Sequence, residues 1–321
     1  MAYLTRSPGA PCPLHPYVVA KLAEDPEMEL NADLTKQIQA HRREGWTVAR
    51  VAALNTAALE EKIREFGVPY SRDTFIARAK LSSSGFALAE TWMEEYPVIA
   101  RRRDQKFLPL AVVELWKRLL PGHPSVETLD DQMQEGYGLL RDGRDEKAVG
   151  VWWNLWLSVR THLPAGIRSS EDVKLVAGTQ MFSNWVDDFL DLLDCCAESD
   201  PRVAARGVEF GRDLLLRFPE ESESSQVNWR RTLAGHLFIQ GRVDEGRSLL
   251  EEIVRLFPTN AWGYIALADE YAHLWKWRGN RLPLDLDRAR KYLEEGLEVA
   301  STHEDRAVLV ERLKELDGHD S

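Results

Sequence analysis

The sequence predicts an all-α protein: an N-terminal helical domain followed by a degenerate array of stacked α-hairpins. Three observations predict it. Apolar residues recur at helical spacing along most of the chain, while sustained two-residue alternation and Asn-Gly hairpins between β-branched runs are missing. Glycine and proline fall where helix ends require them. Beyond residue 124 the helices come in pairs around short glycine turns.

The Pro-rich opening (Pro8, Pro11, Pro13, Pro16) reads as an extended arm over residues 1–15. Residues 16–120 form the N-terminal domain. Leu34, Ile38 and His41 share one helical face, ended by Gly45. Thr56, Leu59, Ile63 and Phe66 share the next, ended by Gly67 and Pro69. Ser71 with Thr74 opens a helix over 73–80. Another covers 87–96 and stops before Pro97. A third covers 108–120 and stops at Pro121-Gly122-His123-Pro124.

The array is expected over residues 125–316. Ser125 opens a long helix carrying Leu129, Met133, Gly136, Tyr137 and Leu140, and Gly143 breaks it. Its partner carries Ala148, Trp152, Leu155 and Val159. A long helix over 173–195 precedes one around Gly207 and Gly211 that ends at Pro219. Then come helices over 228–240, a break at Gly241, 243–257 ended by Pro258, 261–277, an insert, and 284–300.

Composition limits the function classes. The chain has 321 residues and a net charge of −11. Residues 1–120 hold 17 basic and 15 acidic side chains, which leaves 24 and 37 for residues 121–321. The acid therefore belongs to the array, where it repels phosphate backbones and prefers a basic or neutral partner. The run Arg101-Arg102-Arg103 lacks the interleaved aromatics of a nucleic-acid patch, so nucleic acid is an unlikely partner. No apolar stretch reaches the ~18 residues of a membrane span. The first residues lack the layout of a signal peptide. Three cysteines (Cys12, Cys195, Cys196) build no disulfide framework, so a cytoplasmic location is expected.

The segment NWRRTLAGHLFIQGRVDEGRSLLEEIVRLFPTN resembles a tetratricopeptide repeat. Leu233-Ala234 fits the large-small pair of the first helix, Leu237 stands at an aromatic position, and Gly241 is the turn. Gly246 takes the small position where two helices cross, Leu250 the large one, and Pro258 the terminator. The next unit supplies Tyr264, Leu267, Ala268 and Tyr271, then Ala289 and Leu293 after the insert. The small positions Ala148, Gly207, Gly246 and Ala289 are 59, 39 and 43 residues apart. A regular array repeats at about 34, so this one is degenerate. A second resemblance rests on Gly-Tyr-x-Leu-Leu, Ala-x-x-x-Trp-x-x-x-Trp and Asn184-Trp185 with Asp187-Asp188-Phe189. It is to bacterial helical-repeat proteins that often end in a SEC-C zinc knuckle. No Cys follows Cys196, so the knuckle is missing.

GLLRDGRD at 138–145 has phosphate-loop glycine spacing, but Arg144 and Asp145 stand where Lys and Ser/Thr are needed; a helix turn accounts for it. No HExxH or CxxC exists, and Cys195-Cys196 read as buried structural thiols. No metal, cofactor or catalytic residue is expected. Residues 46–66 are faintly similar to a helix-turn-helix reader, with Lys62 and Arg64 balanced by Glu60, Glu61 and Glu65. Asp187, Asp191 and Asp194 share a helix face with Asp188 beside it; this is a solvated face, or else a stripe for a basic peptide or a cation, while nothing in the sequence marks one of them to be held neutral as paired catalytic carboxylates require. Trp153, Trp275 and Trp277 are candidate exposed anchors, whereas most of the eleven Trp fill gaps between helices.

What the repeat resemblance implies is a concave surface lined by first helices that binds peptides or protein segments. Its groove positions would include Asn228, Arg231, Gly235 and Phe238, then Trp262, Ile265, Asp269 and Ala272. The expected function is a scaffold or adaptor, not an enzyme. The alternative is a nucleic-acid-associated regulator that makes contact through residues 16–120.

Overall fold

A computed structural model of the chain describes Tyr17, Ala20, Lys21 and residues 46–99, 104, 106–163, 166–173, 181–274 and 282–319. The expected helix around Leu34–His41, the opening arm, Cys12, Arg101–Arg103, Trp275 and Trp277 lie outside these. Among the described residues the fold is all-α, with no strand. In chain order the helices are α1 (Val48–Ala52), α2 (Thr56–Glu65), α3 (Arg72–Ala79), α4 (Gly85–Glu95), α5 (Phe107–Leu119), α6 (Val126–Arg141), α7 (Asp145–His162), α8 (Phe182–Ala197), α9 (Pro201–Arg217), α10 (Glu223–Ile239), α11 (Val243–Leu256), α12 (Ala261–Ala272), α13 (Leu286–Val299) and α14 (His303–His319).

The chain divides into two compact units. One is Met1–Gly138 with Asn154–His162 and Lys174–Phe182; the other is Leu139–Trp153, Leu163–Val173 and Ser183–Ser321. In the first, α5 is apolar nearly all round and takes the centre, as such a helix must. Phe107, Leu108, Leu110, Ala111, Val112, Val113, Leu115 and Trp116 are all buried, and α1, α2, α3 and α4 pack on it. Thr47, Asn55, Ser71 and Ser84 each accept a backbone N–H at a helix start. The buried Glu127 carboxylate accepts the Gly85 and Phe86 N–H groups and the Ser84 hydroxyl, so α6 caps α4. Asp131, one turn on, accepts the Tyr17 hydroxyl at 2.7 Å and the ammonium groups of Lys21 and Lys117. Burial alone would raise the Asp131 pKa; the two ammonium groups outweigh it and hold it below the usual range.

The second unit stacks its helices in order. Each of α9 to α13 packs on its successor, and α10 also packs on α12, and α12 on α14. This order of packing is compatible with a helical repeat. Gly241 adopts φ +73°, which lets α10 turn into α11 in three residues, and Gly143 at φ +66° does the same after α6. At the small positions the helices approach closely. A Cβ on Gly246 would lie 2.6 Å from the Phe238 ring, and one on Gly207 2.3 Å from the His236 ring. Ala148 and Ala289 are fully buried.

Several boundaries differ from expectation for identifiable reasons. The helix expected from 228 begins at Glu223, because Ser222 accepts the Ser225 N–H as its cap. The helix expected to run to 277 ends at Ala272, where His273 turns left-handed at φ 56°. The helix expected from 173 begins at Phe182; Val173 itself closes a short 3₁₀ turn. The periodicity reading stopped at 300 and missed α14. Its signal was present in Thr302, whose hydroxyl accepts the Asp305 N–H.

Two outcomes follow from this packing. Gly246→Ala is expected to cost about 1–3 kcal/mol in urea denaturation, because the ring has no room to retreat. Gly150→Ala, whose methyl meets nothing within 4 Å, is expected to gain up to about 1 kcal/mol from helix propensity. Equal effects would refute the close-approach account. His236 is fully buried, neither ring nitrogen has a hydrogen-bond partner among the described residues, and burial lowers its pKa from 6.5 to about 4. Between those values the unfolded chain takes up a proton that the folded chain refuses. The stability is therefore full above pH 6.5 and falls as pH drops to about 4. His236→Leu is expected to lose about 2–3 kcal/mol less than the parent between pH 7 and 4.5. Parallel pH slopes in parent and variant would contradict this.

Candidate functional site

The first helices of the second unit border one open depression of about 220 Å³. α8 contributes Asp187, α10 contributes Ser224, Ser225, Val227, Asn228 and Arg231, and the start of α12 contributes Asn260 and Trp262. Three expected groove residues, Asn228, Arg231 and Trp262, therefore meet in one place with Asp187 of the acidic stripe.

Local sequence explains the positions. Asn228 and Arg231 are three residues apart on α10 and so share a face. Asn260 caps α12 by accepting the Trp262 N–H at 3.1 Å, and its amide donates to Glu223 at 3.0 Å. That bond ties the start of α12 to the start of α10. Trp262 keeps 37% of its surface exposed, and the Arg231 guanidinium lies over its ring at 4.9 Å. The Arg231 Nε is buried without a hydrogen-bond partner. Burial lowers the Arg231 pKa, and the charge of Asp269 opposes that shift. Asp187 is exposed on α8 and accepts the Trp229 indole N–H at 3.4 Å. Burial of its carboxyl raises its pKa, as do the charges of Asp191 and Asp188.

Phe238, Ile265 and Asp269 are corrections: they lie in the interior, with 3%, 1% and 1% of their surfaces exposed. Gly235 and Ala272 are buried too. The Phe238 ring fills the space that Gly246 leaves. Ile265 belongs to the core that also holds Leu250, Leu309 and Leu316. Asp269 faces Arg312 of α14 at 2.9 Å, and Arg312 also bonds Glu315 at 3.0 Å. α14 thus covers the part of α12 that an array ending at residue 300 would leave open. Burial pushes the Asp269 carboxyl up to about 6, against the pull of Arg312 and Arg231.

On α8 the expected division of faces is present except at Asp194, which is half-buried. Asp187 and Asp191 are exposed and Asp188 half-buried, while Phe189, Leu192 and Leu193 are buried. Ser224, Ser225, Val227 and Asn260 were not anticipated. The serines lie in the turn before the helix's expected start, and Asn260 reads as a helix cap before anything else.

Other candidates change with the structure. Cys195 is exposed and Cys196 half-buried, so the pair is not the buried structural thiols expected from sequence. Trp153 is half-buried under Arg206, which sits 5.7 Å from its ring. In the first unit α1 has only five residues, and the Lys62 ammonium lies over the rings of Trp46, Phe66 and Phe107. Arg64 pairs with Glu60. Among the described residues no helix is long and apolar enough to cross a membrane, and no group of three His, Cys, Asp or Glu side chains could hold a metal ion. No protein-family model matches the chain, and no curated protein matches it either.

The buried ion cluster yields a direct test. Asp269→Ala is expected to cost about 1–3 kcal/mol in urea denaturation, because Arg231 and Arg312, both half-buried, lose the carboxylate that lies between them. Asp191→Ala, on the exposed face, is expected to stay within about 0.5 kcal/mol of the parent. A mild effect at Asp269 would mean that the cluster adds nothing to stability.

Proposed function

We propose that the tetratricopeptide-like array expected over residues 125–316 binds an extended segment of another protein, making the chain a cytoplasmic scaffold or adaptor rather than a catalyst. One observation carries the reading. Side chains of three successive first helices, Asp187, Asn228, Arg231 and Trp262, border a single open depression. The lining combines charge, amides, hydroxyls and an aromatic ring, a mixture suited to recognition. The repeat reading is supported by Gly241 at the turn, Gly246 at the helix crossing, and the pairing of α10 with α12 and of α12 with α14. The acidic balance of residues 121–321 supports a basic or neutral partner.

The experiment is selection of a randomised twelve-residue peptide library on the full chain. Enriched peptides are expected whose affinity falls about tenfold in Asn228→Ala and in Trp262→Ala, with helical content and melting temperature retained. No enrichment, or peptides indifferent to both variants, would overturn the proposal.

A further inference from the structure

The depression on α8, α10 and α12 has a charge balance that specifies its occupant more narrowly. The lining holds one cation, Arg231, and its charge is opposed from behind by Asp269. Arg231 lies on the Trp262 ring and within the field of Asp269, Asp269 pairs with Arg312, and Arg312 pairs with Glu315. Two arginines face two carboxylates, so this group adds little net charge to the cavity. Asp187 is different. Its only hydrogen bond among the described residues is the 3.4 Å contact from the Trp229 indole, and no ion pair joins it or Asp191 to a described cation. A carboxylate has about four acceptor positions, so most of those on Asp187 remain open.

The groups beside Asp187 add further acceptors in the same small space. The side chain of Asn228 has no hydrogen-bond partner among the described residues, and Ser224 is exposed at the rim. Trp262 offers the exposed part of a ring that already carries one guanidinium. The cavity holds about 220 Å³, room for one long side chain while its backbone passes outside. An ammonium is a compact point charge that would use one or two of these acceptors. A guanidinium is planar, carries five N–H donors in its plane, and stacks flat on an aromatic ring or on another guanidinium.

Resting on the groove reading above, we infer that this cavity is an arginine pocket: it takes an arginine side chain of the bound segment, held by the Asp187 carboxylate and the Asn228 amide and stacked at Trp262. The segment's remaining residues then lie along the acidic face of α8, past Asp191.

The test uses the full chain and the peptides selected on it. The inference requires that they share an arginine at one fixed position. Replacing that arginine by citrulline, which keeps the shape and removes the charge, is expected to weaken binding at least tenfold. Replacement by lysine is expected to weaken it by a smaller factor, about threefold. Asp187→Asn, which keeps the contact to Trp229 possible, is expected to reproduce the citrulline loss, and combining the two changes is expected to add little more. Selected peptides without a fixed arginine, an ineffective citrulline substitution, or full affinity in Asp187→Asn would each overturn the inference. If such peptides still lose affinity in Trp262→Ala, the groove reading stands and only the arginine pocket falls. If no peptide is selected, both fall together.

Discussion

The second unit depends on a single carboxylate placed where water cannot reach it. Asp269 is buried on α12, and arginines of both neighbouring first helices act on it, Arg312 of α14 by direct contact and Arg231 of α10 through its charge. Removing these charges from water is costly, and the cost is offset only while the partners hold their places. The arrangement therefore fixes more than the ion pair. It sets the register of three first helices against one another, and it keeps Arg231 lying on the Trp262 ring. The wall of the open depression is the outward-facing side of this buried cluster.

Around it, the hairpins are joined by a second, apolar device. Glycine at a helix crossing gives up side-chain burial and lets an aromatic ring from the facing helix occupy the gap, as Phe238 does at Gly246 and His236 at Gly207. The two cases differ in cost. A phenyl ring brings only apolar surface. The imidazole brings two nitrogens without partners among the described residues, and it remains tolerable only uncharged. The first unit solves its own attachment differently, with the carboxylates of Glu127 and Asp131 on one helix reaching the start of α4 and the Tyr17–Lys21 and Lys117 side chains.

Much of this was legible in the sequence, and the failures share a cause. Turn glycines, caps and the small positions are local, and Gly143, Gly241, Gly246 and Ser71 stand where the pattern puts them. Helical spacing also gives the angle of a residue around its own axis. By spacing alone Asn228 shares a face with Arg231, and Trp262 with Asp269. What it does not give is the element lying over that face. Trp262 remains open and Asp269, two turns further on, is roofed by α14. The repeat resemblance put Asp269 in the groove; the arginine of a distant helix accompanies its burial. His236 offered no pattern at all, since its place follows from the absence of a side chain at Gly207, 29 residues earlier.

The join between α12 and α13 has a consequence for how the array can change over time. The chain leaves α12 at a left-handed His273, and it returns to residues already fastened to that helix end: the Leu282 carbonyl bonds the His273 ring at 2.7 Å, and the Asp285 N–H bonds the Tyr271 carbonyl at 3.0 Å. The two anchor points are therefore held together by bonds outside the intervening residues. In general, lengthening a segment whose ends are already held together costs only about 0.6 kcal/mol for each doubling of its length. The hairpin can accept insertions of varied length and chemistry there while its helices keep their stacking, which makes this junction a natural place for new surface to be added to an old fold.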